Sequence, residues 1–146
     1  MQKTILITGA TDGIGLETSK ALVGLGHKLL LHGRNPVKLE SVSKALSSLT
    51  AGADTENYVA DLSDMAEVEA LAKAVAEKHS KLDVLINNAG VYSAPKPITK
   101  DGLDVRFAVN TIAPYLLTKR LLPLIESSGR VINLSSAAQA PVDPEA

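Results

Sequence analysis

Apolar positions along the chain fall into short continuous runs that alternate with longer stretches of helical spacing. Thr4-Ile5-Leu6-Ile7-Thr8 is a β-branched and apolar run closed by Gly9, the mark of a strand covered on both faces. Ile14, Thr18, Ala21, Leu22 and Leu25 then recur at the spacing of one helix face, which Gly24 and Gly26 end. Leu29–His32 predicts a second strand. Asn35-Pro36 predicts a helix start, because Asn caps an orphan amide and Pro at the first helical position loses only an N–H that had no partner. Leu39, Val42, Leu46 and Leu49 form the inward stripe of that helix. A third strand is expected around Asn57–Ala60, then a cap at Ser63 and a helix with Val68, Leu71, Ala72 and Val75 on one side. Val84–Asn87 reads as strand four. Beyond a Pro-bearing loop at Ser93–Pro97, a long helix is expected from about Lys100 to Glu126, bent at Pro114, before a fifth strand at Arg130–Leu134.

Five strands alternating with four helices is the pattern of an α/β fold with a doubly wound parallel sheet, and right-handed crossovers predict the strand order 3-2-1-4-5. The expectation is one domain over residues 1–146, without repeats. Such sheets take ligands outside the carboxyl ends of the strands where the order reverses, here between strands one and four.

Composition narrows the chemistry. The 15 basic and 16 acidic residues are interspersed and leave a net charge of −1, so no basic face stands out and neither nucleic acid nor an anionic membrane is an expected partner. The absence of cysteine removes disulfides, thiolate metal sites and a cysteine nucleophile, and agrees with a cytoplasmic location. No apolar run is long enough to predict a signal peptide or a membrane span. His27, His32 and His79 are scattered without metal-ligand spacing and carry no assigned chemistry.

Thr8-Gly9-Ala10-Thr11-Asp12-Gly13-Ile14-Gly15 lies between strand one and the first helix. Missing side chains there let the backbone approach a pyrophosphate, and the free amides of the helix start receive it. Gly9, Thr11, Asp12, Gly13, Ile14 and Gly15 are therefore predicted to contact a dinucleotide. No Gly-Lys-Ser/Thr follows, so this is not a P-loop.

The spacing TGxxxGxG resembles the short-chain dehydrogenase/reductase family, whose fold is Rossmann-like. Four further segments resemble that family's motifs in the right order: Asp61-Leu62, Asn87-Asn88-Ala89-Gly90, Val109-Asn110, and Asn133-Leu134-Ser135-Ser136. The resemblance implies that Asp61 and Leu62 contact an adenine, that Asn88, Ala89 and Gly90 line the cofactor, and that Asn87 ties strands together. Strand two ends in Gly33-Arg34, where an acid would select NAD. A guanidinium there suits a 2′-phosphate, so NADP is expected over NAD. Asp12 runs against this, since some NADP-using members carry a basic residue at its position.

By the same resemblance, the reaction is hydride transfer between a nicotinamide and a small-molecule carbonyl or secondary alcohol. Ser136 matches the residue that polarises the carbonyl oxygen, and Asn110 the residue that holds a relay water. The family's Tyr-x-x-x-Lys would fall beyond Ala146, so the chain reads as the amino-terminal portion of a longer enzyme, with strand five as an open apolar edge. Tyr92 with Lys96 and Tyr115 with Lys119 have the spacing but sit in the wrong elements. A homo-oligomer is expected from the family. The alternative is a non-catalytic dinucleotide-binding protein or redox sensor.

Overall fold

The computed structural model describes residues 1–137, 140–141 and 143–145. Its elements are β1 (Thr4–Ile7), α1 (Gly13–Gly24), β2 (Lys28–Gly33), α2 (Pro36–Leu49), β3 (Asp54–Val59), α3 (Met65–Lys78), β4 (Val84–Asn87), α4 (Val105–Phe107), α5 (Ala113–Leu121) and β5 (Arg130–Asn133). The five strands form one parallel sheet in the order β3-β2-β1-β4-β5, the order expected from the alternation.

Side chains alternate across the strands, and each face of the sheet therefore builds its own core. Leu6, Leu30 and Leu85 point to the side covered by α3 and α5, where they pack with Val68, Leu71, Val75, Leu117 and Leu121. Ile5, Ile7, Leu29, Leu31 and Ile86 point the other way, onto Val23, Leu39, Val42 and Leu46 of α1 and α2. Each fully buried Leu or Ile contributes roughly 1.5–3 kcal/mol of transfer free energy, so both layers hold the central strands firmly.

Several expectations shift. β3 starts at Asp54 rather than near Asn57 because it pairs with β2 from Lys28 to Gly33; its polar sequence carries no hydrophobic alternation to mark the start. The buried face of α1 is Gly15, Ser19 and Val23, while Ile14 and Leu25 face solvent. Small residues win that face because the helix begins hard against the β1 loop. Leu49 is also exposed. The cap of α3 is Asp64, whose carboxylate accepts the Ala66 N–H, and Ser63 instead bonds Asp61. The long helix does not reach back to Lys100. Ile98 bridges Asp104 in an antiparallel pair around a turn at Gly102, whose φ is 76°, and Asp104 caps the helix from Val105. A π-turn at Ala108–Ile112, not a simple bend at Pro114, joins α4 to α5, and a 3-10 turn at Leu122–Leu124 ends the rod.

The β3 edge is held by charge. Glu56 accepts from Lys28, Lys78, His79 and Tyr58, at distances of 2.8–3.2 Å. Burial by itself would raise its carboxyl, but the hydrogen bonds from Lys28, His79, Tyr58 and Lys78 outweigh that and hold it at about 2. A depressed folded-state value stabilises the fold above the ordinary range near 4.5 and is lost as pH falls toward 2. Glu56→Gln should therefore lower unfolding stability by about 1–3 kcal/mol at neutral pH. Urea unfolding should show the two proteins converging as pH drops through that window; parallel curves would contradict the assignment.

Candidate functional site

β1 and β4 are neighbours, yet the chain leaves them toward opposite faces of the sheet, which opens a crevice at their carboxyl ends. The crevice is a cleft of about 1090 Å³. Of the residues predicted to bind the dinucleotide, Gly9, Thr11, Asp12, Gly13, Ile14, Arg34, Asp61, Leu62, Asn88, Ala89 and Gly90 all line it. That volume lies at the top of the roughly 300–1,000 Å³ range of small-molecule sites, large enough for an extended ligand.

Gly15 stands behind the cleft rather than in its wall. A Cβ at that position would run into the Gly9 carbonyl oxygen and the Asn88 side-chain amide. Gly9 has φ 66°, and a Cβ there would come within 2.9 Å of the Ala89 backbone. Glycine at both positions thus lets the β1 loop lie directly on the β4 loop. Thr8, buried at the end of β1, locks the contact: its hydroxyl accepts the Asn88 and Ala89 N–H groups, each at 3.0 Å. The Asn88 side chain returns the bond by donating to the Thr8 and Gly9 carbonyls, both at 3.1 Å.

The first turn of α1 carries no side-chain cap, so its amides, which the helix cannot pair internally, face the loop mouth. Gly33 also needs its missing side chain, because a Cβ would press on the Thr11 methyl and on Leu39. Arg34 follows it, exposed at the end of β2, and among the described residues it has no carboxylate partner, whereas Arg106 pairs with Asp104 and Arg120 with Glu69. Asp61 engages one carboxylate oxygen with the Ser63 N–H and hydroxyl and keeps the other uncommitted.

Asn87 ties layers together, donating to Asn133 on β5 at 2.9 Å and to Thr118 on α5 at 3.1 Å. Asn110 lies in the π-turn, and its side-chain amide clasps the Val91 backbone, accepting from the N–H and donating to the carbonyl at 2.8 Å each. It thereby holds the β4 loop against the helix from outside the cleft wall. Ser136 lies beyond the end of β5, exposed and also outside that wall. Tyr92 and Tyr115 are both exposed, on a loop and on α5.

Two parts of the site escaped the sequence. One is His32, which lines the cleft from the end of β2; a buried imidazole closing a run of three leucines was the signal. The other is the far wall, supplied by most of the segment 93–100. Its turn is docked on the start of α3, where Asp101 accepts the Met65 N–H at 3.0 Å and Lys100 pairs with Asp64 at 3.6 Å. No sequence pattern announces that contact.

The model of the short chain dehydrogenase family matches residues 3–143. The chain belongs to that family. The chain is 36% identical to human retinol dehydrogenase 13 over 138 residues, covering 93% of the chain and 42% of that protein. It is 35% identical to human polyprenol dehydrogenase over 141 residues, covering 92% and 43%. Among solved structures it resembles a metagenomic short-chain oxidoreductase in complex with NADP, with TM-score 0.81, 35% identity, and coverage of 96% of this chain and 65% of that one. A short-chain dehydrogenase from Sphingobium yanoikuyae in complex with NADPH gives TM-score 0.79, 30% identity, and coverage of 92% and 54%. The chain spans less than half the length of the curated relatives it matches.

The two glycines at the start of α1 fail for different reasons when given a side chain. Gly15→Ala should be overpacked and lose about 1–3 kcal/mol. Gly13→Ala meets open space and suffers only the left-handed φ of 55°, about 1–2 kcal/mol. Nucleotide affinity should vanish in the first and weaken in the second; calorimetric titration alongside thermal unfolding measures both, and equal affinities would contradict this account.

Proposed function

We propose that this protein binds NADP(H) in the β1–β4 crevice and transfers a hydride between it and a small-molecule carbonyl or secondary alcohol. The observation that carries this reading is the cradle itself. Gly9 and Gly13 leave backbone bare at the mouth of an uncapped helix start, which accommodates a pyrophosphate by approach rather than by charge. To Asp61 and Leu62, which line the same cleft, we assign the contact with the adenine. The NADP and NADPH complexes of similar short-chain enzymes support the choice of ligand.

Arg34 is the residue we assign to the 2′-phosphate. Its guanidinium is charged, exposed and unpaired with any described carboxylate, so engaging a phosphate breaks no existing ion pair. Asp12 opposes it from the helix start and moderates the preference.

When bound, the nicotinamide supplies or accepts the hydride. The chain's own part is to orient the substrate and manage charge. To Ser136, beyond the end of β5, we assign donation of a hydroxyl hydrogen bond to the carbonyl oxygen on which negative charge develops. Asn110 uses one N–H and one oxygen lone pair of its amide on Val91. Its backbone carbonyl lies in the π-turn. That carbonyl is the acceptor we assign to a proton-relaying water. We place self-association on the outer face of α4, α5 and the 3-10 turn that follows, where Phe107, Tyr115 and Leu122 are exposed.

Arg34→Ala should weaken NADP by about ten- to a hundred-fold and NAD by less than about threefold, as expected for charge-assisted bonds to one phosphate. Equal losses for both nucleotides would remove Arg34 from the role. In the complete protein, Ser136→Ala should lower kcat by about a hundred- to a thousand-fold with NADP affinity unchanged. Tight NADP binding with no turnover of any carbonyl by the unsubstituted protein would instead support a redox sensor.

A further inference from the structure

His32 is the last large side chain of β2, and it is 2% exposed. The three residues before it are leucines packed at the centre of the sheet, so an apolar side chain would satisfy the burial at position 32 equally well. The imidazole instead makes two directed bonds. Its Nδ1 lies 3.1 Å from the Gly9 N–H, and its Nε2 lies 2.9 Å from the Ala60 carbonyl oxygen. A backbone N–H only donates and a carbonyl only accepts, so the ring must carry its proton on Nε2 and present Nδ1 bare. This geometry admits one tautomer of the neutral ring.

Both partners are functional in position. Gly9 opens the β1 loop in the left-handed conformation that brings the backbone to the cleft, and Ala60 immediately precedes Asp61 and Leu62 on the opposite wall. The main chain reinforces the same span, with the Ala10 N–H donating to the His32 carbonyl at 2.9 Å and the Ala60 N–H donating to the Gly33 carbonyl at 3.2 Å. We infer that His32 is a positioning residue of the dinucleotide site, whose bare Nδ1 fixes the Gly9 amide and so the shape of the phosphate-facing loop. The inference rests on the cofactor reading given above.

The electrostatic setting keeps the ring in that state. Burial is the largest influence and pushes its pKa down, and Arg34 pushes it further, against the opposing effects of the Ala60 carbonyl and the Asp61 carboxylate. A protonated ring would set a second N–H against the Gly9 N–H.

Three substitutions in the complete protein separate this role from simple packing. His32→Asn places a carbonyl oxygen at the distance from the main chain that Nδ1 occupies, His32→Gln places an amide N–H where Nε2–H stood, and His32→Leu removes both. Calorimetric titration with NADP at neutral pH should find His32→Asn within about threefold of the unsubstituted protein. His32→Gln and His32→Leu should each be weaker by about tenfold, the loss expected for one neutral hydrogen bond. Thermal midpoints should fall in all three variants without following that order. The inference is overturned if His32→Gln binds as tightly as the unsubstituted protein, or if His32→Asn loses as much affinity as His32→Gln. Should His32→Leu not fold, the contrast between Asn and Gln decides alone. Failure of the unsubstituted protein to bind either NADP or NAD would overturn the cofactor reading, and this inference with it.

Discussion

The structure turns on one close approach, where the β1 loop lies on the β4 loop with no side chain between them. Gly9 rests on the Ala89 backbone, and the start of α1 at Gly15 rests on the Gly9 carbonyl. Asn88 and Ala89 then donate four hydrogen bonds across the seam to Thr8 and Gly9, which satisfies polar groups that the contact would otherwise bury unpaired. The crevice between the diverging helices exists because these two loops touch below it. With the loops forced apart by even one methyl group, α1 would lose its seat and its open amides would no longer point into the cleft.

Polar groups are committed very differently at the two ends of the molecule. At the β3 edge, Glu56 is surrounded by four donors and its charge is neutralised within the protein. This edge strand is protected from pairing with other chains by inward-pointing charge rather than by a cover. Around the cleft, the helix start is uncapped, Arg34 is unpaired with any described carboxylate, and one Asp61 oxygen is uncommitted. The unpaired amides and guanidinium at this rim are how a protein of near-zero net charge can still present a local attraction for phosphate, which the Asp61 carboxylate moderates.

Much of the fold was legible because the central strands are short apolar runs with no competing reading. Thr4–Ile7, Leu29–His32 and Val84–Asn87 bury both faces, and such runs separated by helical spacing leave the parallel order 3-2-1-4-5 as the simplest topology. Legibility failed where pairing or packing substitutes for hydrophobicity. β3 starts at Asp54 because β2 offers it a ladder, and α1 buries Gly15 and Ser19 because the sheet approaches too closely for larger residues. The long helix was expected from about Lys100, yet Gly102 turns the segment 98–104 into a hairpin before Asp104 can cap a helix.

The site divides along the same line. Which residues surround the cleft was readable from glycine spacing and motif order, because a bare backbone and a helix start are local properties that neighbours in sequence decide. What those residues do to one another was not. The clasp of Asn110 on Val91, the ring of His32 between Gly9 and Ala60, and the docking of Asp101 on Met65 join positions 19 to 36 residues apart in sequence. Directed bonds across such separations depend on distances that only the packed sheet and its helices establish, so the chain determined the cradle by itself and left its alignment to the tertiary structure.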